Sequence, residues 1–449
     1  MDLLSSSSMV SFSNAPGSPA QANDLVEAFD TLTHQAQSEL GNITQSLFFI
    51  GDGLQRALAD GFFNLFLPQT WAPNTLFQSG SNAVRQTIQL LQLLQPEQAR
   101  LAWQELQNKL LVFILVKNLS SILHLPADRL TPLQELVEKA YSMPVFESLW
   151  AVEGLGHYYA DIYWRLKGVP QGLLFEENAP VPEKSLTMLN AGIGLCFADR
   201  MLGSLTSEAS DQQVRSVVEY VLALCRNNCR KGYTGAAVEN FGLVTRDFYP
   251  DLLQRIDQQL RQVAPEFLGY FWHGVGRGMY FSRQYFLPVL YSVWKGVDSD
   301  VYNAPDRLNA MSGLAWGATM VNLRQPAIIE IALRSYIENS DLAAGFTNGV
   351  VSSLIMRTDI SPGTPLVKQF YEHRPNGGDR RLAEAWQRLI AEPSQVAIET
   401  YYPVLRQQNA LSEIFRYQDL AALVSFLQQR TGAARKNPDG ATPMSGAWR

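Results

Sequence analysis

Two stretches decide how this chain folds: Trp150-Ala151-Val152-Glu153-Gly154-Leu155-Gly156-His157 and Phe271-Trp272-His273-Gly274-Val275-Gly276-Arg277. Each sets a Gly-x-Gly in an apolar context, and Gly154 and Gly156 fall on Gly274 and Gly276 at an offset of 120. The correspondence continues downstream. Leu189-Asn190-Ala191-Gly192-Ile193-Gly194-Leu195 lies over Ala310-Met311-Ser312-Gly313-Leu314-Ala315-Trp316, and Gly232-Tyr233-Thr234 over Gly345-Phe346-Thr347. The segments close near Thr245-Arg246-Asp247 and Arg357-Thr358-Asp359. Self-similarity at so long a period predicts an internal duplication of about a hundred residues, whose seam is a natural place for a pocket. A fainter echo, Phe49-Ile50-Gly51-Asp52-Gly53-Leu54-Gln55-Arg56, keeps only the Gly-x-Gly.

Around these blocks apolar residues recur at three- and four-residue spacing, the period of a helix with one buried face. The pattern predicts helices over Ala99–Ile122, Leu133–Tyr141, Glu147–Leu166, Lys184–Leu202, Gln212–Arg230 and Leu252–Val263. It continues over Leu268–Phe286, Asp306–Asn322, Ala327–Asn339 and Leu342–Met356, then Asp379–Ala391, Ser394–Gln408 and Ser412–Arg430. Prolines 126, 170, 180, 182, 250 and 265 punctuate them. No run alternates with period two long enough for a strand. The expected fold is therefore all-α. It comprises a disordered leader (1–22), an N-terminal helical region (23–145), copy one (146–265), copy two (266–375), a C-terminal helical cap (376–430) and a disordered tail (431–449).

Composition narrows the function classes. The 449 residues suffice for a large core, and 46% hydrophobic with 17% charged is ordinary for a globular protein. A net charge of −6 with no basic stripe argues against nucleic acid. The longest apolar run, Leu110–Val116, is bounded by Lys109 and Lys117 and is far short of the about twenty residues a membrane span requires. The N-terminus carries no basic stretch followed by an apolar one, so no signal peptide is expected. These features predict a cytoplasmic protein, able to reach a membrane through a partner. Three cysteines are too few for a disulfide framework, and Cys196, Cys225 and Cys229 read as small buried apolar residues.

The glycine blocks invite a nucleotide-binding reading, which the sequence rejects. A dinucleotide fingerprint needs a third small residue three positions on, behind a strand. Tyr159, Phe197 and Met279 stand there instead. Close helix packing is the better account, because glycine inside a helix costs about 1 kcal/mol relative to alanine and must return something. The sharper candidates are polar. Glu153 and His157 are spaced i, i+4, and copy two puts His273 and Arg277 at the corresponding places. These four are the candidate catalytic residues, with Trp150, Trp272, Tyr280 and Trp316 as candidate substrate-binding walls. Glu153, His157 and His273 have the composition of a facial-triad iron site, whereas local hydrogen bonding is the plainer account. No cofactor is evident: five histidines exclude a His-rich metal site, and haem-attachment, zinc and nucleophile-elbow motifs are absent. The Arg–Asp neighbours Asp199-Arg200, Arg246-Asp247 and Arg357-Thr358-Asp359 read as structural ion pairs.

At Glu153–Gly156, Ala191–Ala198, His273–Phe281 and Ser312–Ala318 the chain resembles a family of bacterial proteins, of unassigned biochemical function, found in enediyne-type polyketide gene clusters. The likeness covers roughly residues 145–360. It implies an accessory component of a natural-product pathway that binds an apolar polyene, polyketide or carrier-tethered intermediate. Family members are encoded beside an integrin-like repeat protein and a membrane protein similar to an electron-transport subunit, which implies a multi-protein oxidative assembly. The chain differs in its N-terminal helical region and C-terminal cap, and the family has no established catalytic residues to carry across. Two other readings stand beside this one: an iron- or haem-dependent oxidative enzyme using the repeat seam, and a non-catalytic scaffold.

Overall fold

The computed structural model describes residues 96–436 apart from 118, 207, 282–293, 295, 298–300, 302, 337–339 and 376–377. The leader, the echo at Phe49–Arg56 and most of the expected N-terminal region lie outside the described residues. Every regular element described is helical, as the apolar spacing predicts. In chain order these are α1 (Pro96–Lys117), α2 (Leu119–Ile122), α3 (Leu133–Tyr141), α4 (Val145–Lys167), α5 (Leu186–Leu202), α6 (Asp211–Asn228) and α7 (Thr234–Phe248). They are followed by α8 (Leu253–Val263), α9 (Leu268–Phe281), α10 (Ala304–Val321), α11 (Pro326–Tyr336), α12 (Ser340–Ile360), α13 (Leu366–Tyr371), α14 (380–407) and α15 (Leu420–Lys436). No helix among the described residues is long and apolar enough to cross a membrane.

Six of these helices form the heart of the molecule. Helices α4, α5, α7, α9, α10 and α12 pack in that order, each against the next, and these are the most extensive helix contacts. Small residues let them approach so closely. A Cβ placed on Gly156 would sit closer than 3.0 Å to the Leu189 carbonyl, and one on Gly192 equally close to that of Glu153. Gly276 faces the Ala310 carbonyl and Gly313 that of His273 in the same way. Between α7 and α9 the reciprocal pair is Gly242 against Phe271 and Gly274 against Glu239. Backbone thus lies against backbone with no side chain interposed. One continuous core runs from Val112 to Val424, across the boundaries expected at 145, 265 and 375.

Helix α7 falls outside the spans predicted from periodicity, and burial explains why. From Gly235 to Thr245 all its residues are buried, so it has no polar face to generate an amphipathic period. The C-terminal part also departs from expectation. Two helices were expected to divide near Pro393, yet α14 runs unbroken through Pro393 and Pro403. A π-helical stretch precedes each proline, at Gln387–Ala391 and Ala397–Tyr401. The wider π turn accommodates the missing N–H and the ring. The single helix expected over Ser412–Arg430 is instead a 3₁₀ turn, Leu411–Phe415, followed by α15. Helix α15 continues to Lys436, into the stretch expected to be disordered.

Helix α14 is fastened to α12 through Asp359. The Tyr402 hydroxyl donates to Asp359 Oδ1 at 3.1 Å, and Arg406 donates to Tyr402 at 2.8 Å. Arg406 also lies 3.8 Å from Asp359 and 3.6 Å from Glu183, just ahead of α5. Burial pushes the Asp359 carboxyl up to about 6, against the pull of Tyr402 and Arg406 and with the help of Glu183.

Two predictions follow from packing and burial. Gly313→Ala should cost about 3 kcal/mol in urea unfolding, because backbone carbonyls cannot yield to the new methyl. Gly317→Ala, whose Cβ would meet nothing closer than 3.4 Å, should instead gain about 1 kcal/mol by removing a helical glycine. Because the folded Asp359 holds its proton more tightly than the unfolded one, its contribution to stability falls as pH rises from about 4 to about 6. Asp359→Asn should therefore be more stable than the parent by on the order of 2 kcal/mol at pH 7.5. Paired urea midpoints should show that advantage shrinking towards zero by pH 4.

Candidate functional site

The interior of the six-helix core holds a string of charged side chains. Glu153 comes from α4, Glu239 from α7, and His273 and Arg277 from successive turns of α9, where i, i+4 spacing puts them on one face. His273 Nδ1 lies 3.3 Å from Glu239 Oε1. Arg277 Nη1 donates to Glu239 Oε2 at 2.9 Å, and Nη2 donates to Glu153 Oε1 at 2.5 Å. All four residues are buried, Arg277 at 3% exposure and the others at 0%. The order is thus Glu153–Arg277–Glu239–His273, one guanidinium between two carboxyl groups with an imidazole at one end.

Electrostatics follow from that geometry. Burial raises the Glu153 carboxyl above its ordinary range, against the attraction of Arg277. Burial lowers His273, against the hydrogen bond it makes to Glu239. Burial also opposes the charge on Arg277, but the two carboxyl groups outweigh it and hold its pKa above the usual value. The upward shift of Glu153 favours its neutral form, which lessens the charge the dry interior must hold.

Aromatic rings enclose it. Arg277 lies over the Trp316 ring at 5.0 Å. Trp316 meets Trp150 edge-on at 6.5 Å, Phe415 at 5.6 Å and His273 at 6.4 Å. Several buried polar atoms of this group have no hydrogen-bond partner: Glu153 Oε2, His273 Nε2, Arg277 Nε, Trp150 Nε1 and Trp316 Nε1. Buried polar atoms are nearly always satisfied, by protein groups or by ordered water, and these five belong to a wider set that also includes Thr187, Asp247, Thr319 and Ser394.

Of the candidate catalytic residues, the structure brings Glu153, His273 and Arg277 together and places His157 elsewhere. Glu153 turns to Arg277 and not to the histidine one turn along its own helix. His157 is half-buried among Lys117, Asp199, Asp161 and Arg200, and burial, with help from Lys117, holds it down at about 4. Among the described residues no three His, Cys, Asp or Glu side chains gather closely enough to hold a metal ion, so His157, His273 and Glu153 do not form a ligand set.

Of the candidate walls, Trp316 lies against the string, and Trp150 packs on the Trp316 ring. Trp272 donates to Asp257 at 2.8 Å on another face of α9. Tyr280 belongs to a separate buried group: its hydroxyl donates to Glu105 at 2.6 Å and accepts from Asn322 at 2.7 Å. The Tyr280 carbonyl accepts from Lys109 at 2.6 Å, and burial brings that amine down to about 7.

Glu239 escaped the sequence reading. The signal that marks it is a lone carboxylate in Ala236-Ala237-Val238-Glu239-Asn240-Phe241-Gly242-Leu243-Val244, with no cation within helical reach. The cysteines are buried as expected, and burial pushes Cys196 and Cys225 up to about 12. The Asp199-Arg200 neighbours make the expected surface ion pairs, Lys117–Asp199 at 3.5 Å and Arg200–Asp161 at 2.9 Å. A hollow of about 280 Å³ lies at the α5–α6 turn, lined by Ser204, Leu205, Gln212, Gln213, Ser216 and Val217 and by none of the candidates.

The string also sets an expectation for stability. Arg277→Met leaves two carboxyl groups unpaired in an apolar interior and should cost about 3–5 kcal/mol in urea unfolding. Glu153→Gln keeps an oxygen to accept from Arg277 and should stay within about 1 kcal/mol of the parent. A Glu153→Gln protein as damaged as Arg277→Met would mean that both charges are required. Compared with protein-family models, curated proteins and solved structures, the chain matches none of them.

Proposed function

We propose that this chain is an accessory component of a natural-product pathway, holding an apolar polyene or carrier-tethered acyl intermediate within a multi-protein oxidative assembly. The observation that carries the reading is the set of unpartnered polar atoms on Glu153, His273, Arg277, Trp150 and Trp316, gathered in a wholly buried site. Aromatic faces suit a conjugated chain, and the polar atoms suit the oxygen-bearing end of one.

The site lies between two segments that we read as copies of one ancestral unit. The matched glycines support this. Gly156 and Gly192 meet the carbonyls of Leu189 and Glu153, and Gly276 and Gly313 meet those of Ala310 and His273. Each pair of positions is related by 120 or 121 residues. The resemblance to proteins of enediyne-type clusters supports the pathway, and the membrane electron-transport-like subunit is the partner it suggests.

Two measurements test the reading on the full chain. Organic extraction of the purified protein followed by liquid chromatography should yield a conjugated lipophilic compound in stoichiometric amount. Titration with a conjugated tetraenoic fatty acid should quench tryptophan fluorescence at micromolar concentration, and Trp316→Phe should weaken the quenching several-fold. A clean extract together with unquenched fluorescence would retire the proposal in favour of a scaffold.

A further inference from the structure

The chain between α14 and α15 is a strap laid across four core helices. Ser412 Oγ donates to the Gly232 carbonyl, just ahead of α7, at 2.6 Å. On α9 the Tyr270 hydroxyl donates to Glu413 Oε1 at 2.7 Å. On α10 Asn309 Oδ1 accepts from the Tyr417 N–H at 2.8 Å, and on α12 Asn348 Nδ2 donates to the Gln418 carbonyl at 2.9 Å. Phe415 is wholly buried and lies 5.9 Å from the His273 ring and 5.6 Å from that of Trp316. The strap thus roofs the imidazole end of the buried string.

The strap is held differently from the helices beneath it. Those helices meet backbone to backbone at matched glycines, whereas the strap is tied to each neighbour through side-chain hydrogen bonds. Its own ties are closer. Arg416 donates twice to Glu413 Oε2, Gln418 Nε2 reaches back to the Glu413 carbonyl, and Leu411–Phe415 forms a 3₁₀ turn. Such a segment keeps its shape when its outer ties break. At its start Asn409 has a left-handed φ of 50°, and its carbonyl lies where a Cβ on Gly232 would stand. That backbone contact fixes one pivot. At the other end Asp419 Oδ1 accepts from the Ala422 N–H at 3.0 Å, in the first turn of α15.

We infer that Asn409–Gln418 is a hinged lid that opens as one piece while the six-helix core stays closed, uncovering His273 and Trp316. The free energy of a local opening is set by the apolar surface and hydrogen bonds given up. Opening the strap releases Leu411, Ile414 and Phe415 and a few side-chain bonds, whereas opening the core releases whole helices. The lid therefore opens far more often than the protein unfolds. The inference is independent of the acyl-binding reading.

The test, on the full chain, uses the native thiols as an internal reference. Cys196, Cys225 and Cys229 are buried in the core, so their reaction with dithionitrobenzoate under native conditions reports core opening. Ser412→Cys places a further thiol in the strap. It should react about 100-fold faster than the native three, or more, and its rate should rise less steeply with added urea. Tyr270→Phe removes a tie to the strap and keeps the ring. It should speed that thiol up to about tenfold and leave the native three unchanged. Diethyl pyrocarbonate should modify His273 faster in Tyr270→Phe by a similar factor. In the parent protein, hydrogen exchange read by mass spectrometry should show peptides from 409–418 exchanging ahead of α7, α9 and α10. A strap thiol that matches the native three in rate and urea dependence overturns the lid. So do strap amides that exchange together with the core helices, or a His273 indifferent to Tyr270→Phe.

Discussion

The structure depends on backbone meeting backbone between neighbouring helices. Where Gly156, Gly192, Gly242, Gly274, Gly276 and Gly313 face carbonyl groups of the next helix, a methyl group has no room. Each such glycine costs about 1 kcal/mol of helix propensity, and what it returns is proximity. Helices brought this close interlock over long stretches and bury nearly every residue of α5, α7 and α10. Interiors packed at crystal density do not deform continuously, so the crossings fix the helix positions and, with them, every side chain the helices carry inward.

That rigidity makes a charged interior tolerable. Removing two carboxyl groups and a guanidinium from water is expensive, and only close, well-directed hydrogen bonds offset it. The α7–α9 crossing, where Gly274 and Gly242 meet the carbonyls of Glu239 and Phe271, sets Glu239 within reach of both His273 and Arg277. Glu153, on a helix that does not follow α9 in the packing order, closes the string from the other side of Arg277. The same low-dielectric surroundings separate the proton affinities of Glu153 and His273 in opposite directions.

Much of this was legible in particular residues. The helical spacing placed α3, α4, α5, α6 and α8 to α10 near their observed spans, and the glycine blocks were correctly read as packing surfaces. Glu153, His273 and Arg277 stood out as polar residues set in apolar blocks, and they do meet. Helix α7 was not legible, because a segment buried on all sides has no amphipathic period, and Glu239 was lost with it. Pro393 misled for a different reason: a π turn absorbs the ring, so the residue that usually ends a helix lies inside one. His157 was paired with Glu153 on the strength of i, i+4 spacing, yet a stronger partner, the Arg277 guanidinium, claims the carboxyl group.

By itself the sequence determined the class of secondary structure and which residues share a face of a given helix, because both follow from local period and local sterics. It also determined that charged groups would lie among apolar ones, since burial is written in the residues on either side. Tertiary structure alone decided which of those groups meet. Whether Glu153 faces His157 or Arg277, and whether Tyr280 joins the string or lies with Glu105 and Lys109, turns on the crossing of helices far apart in the chain, and no local spacing encodes that angle.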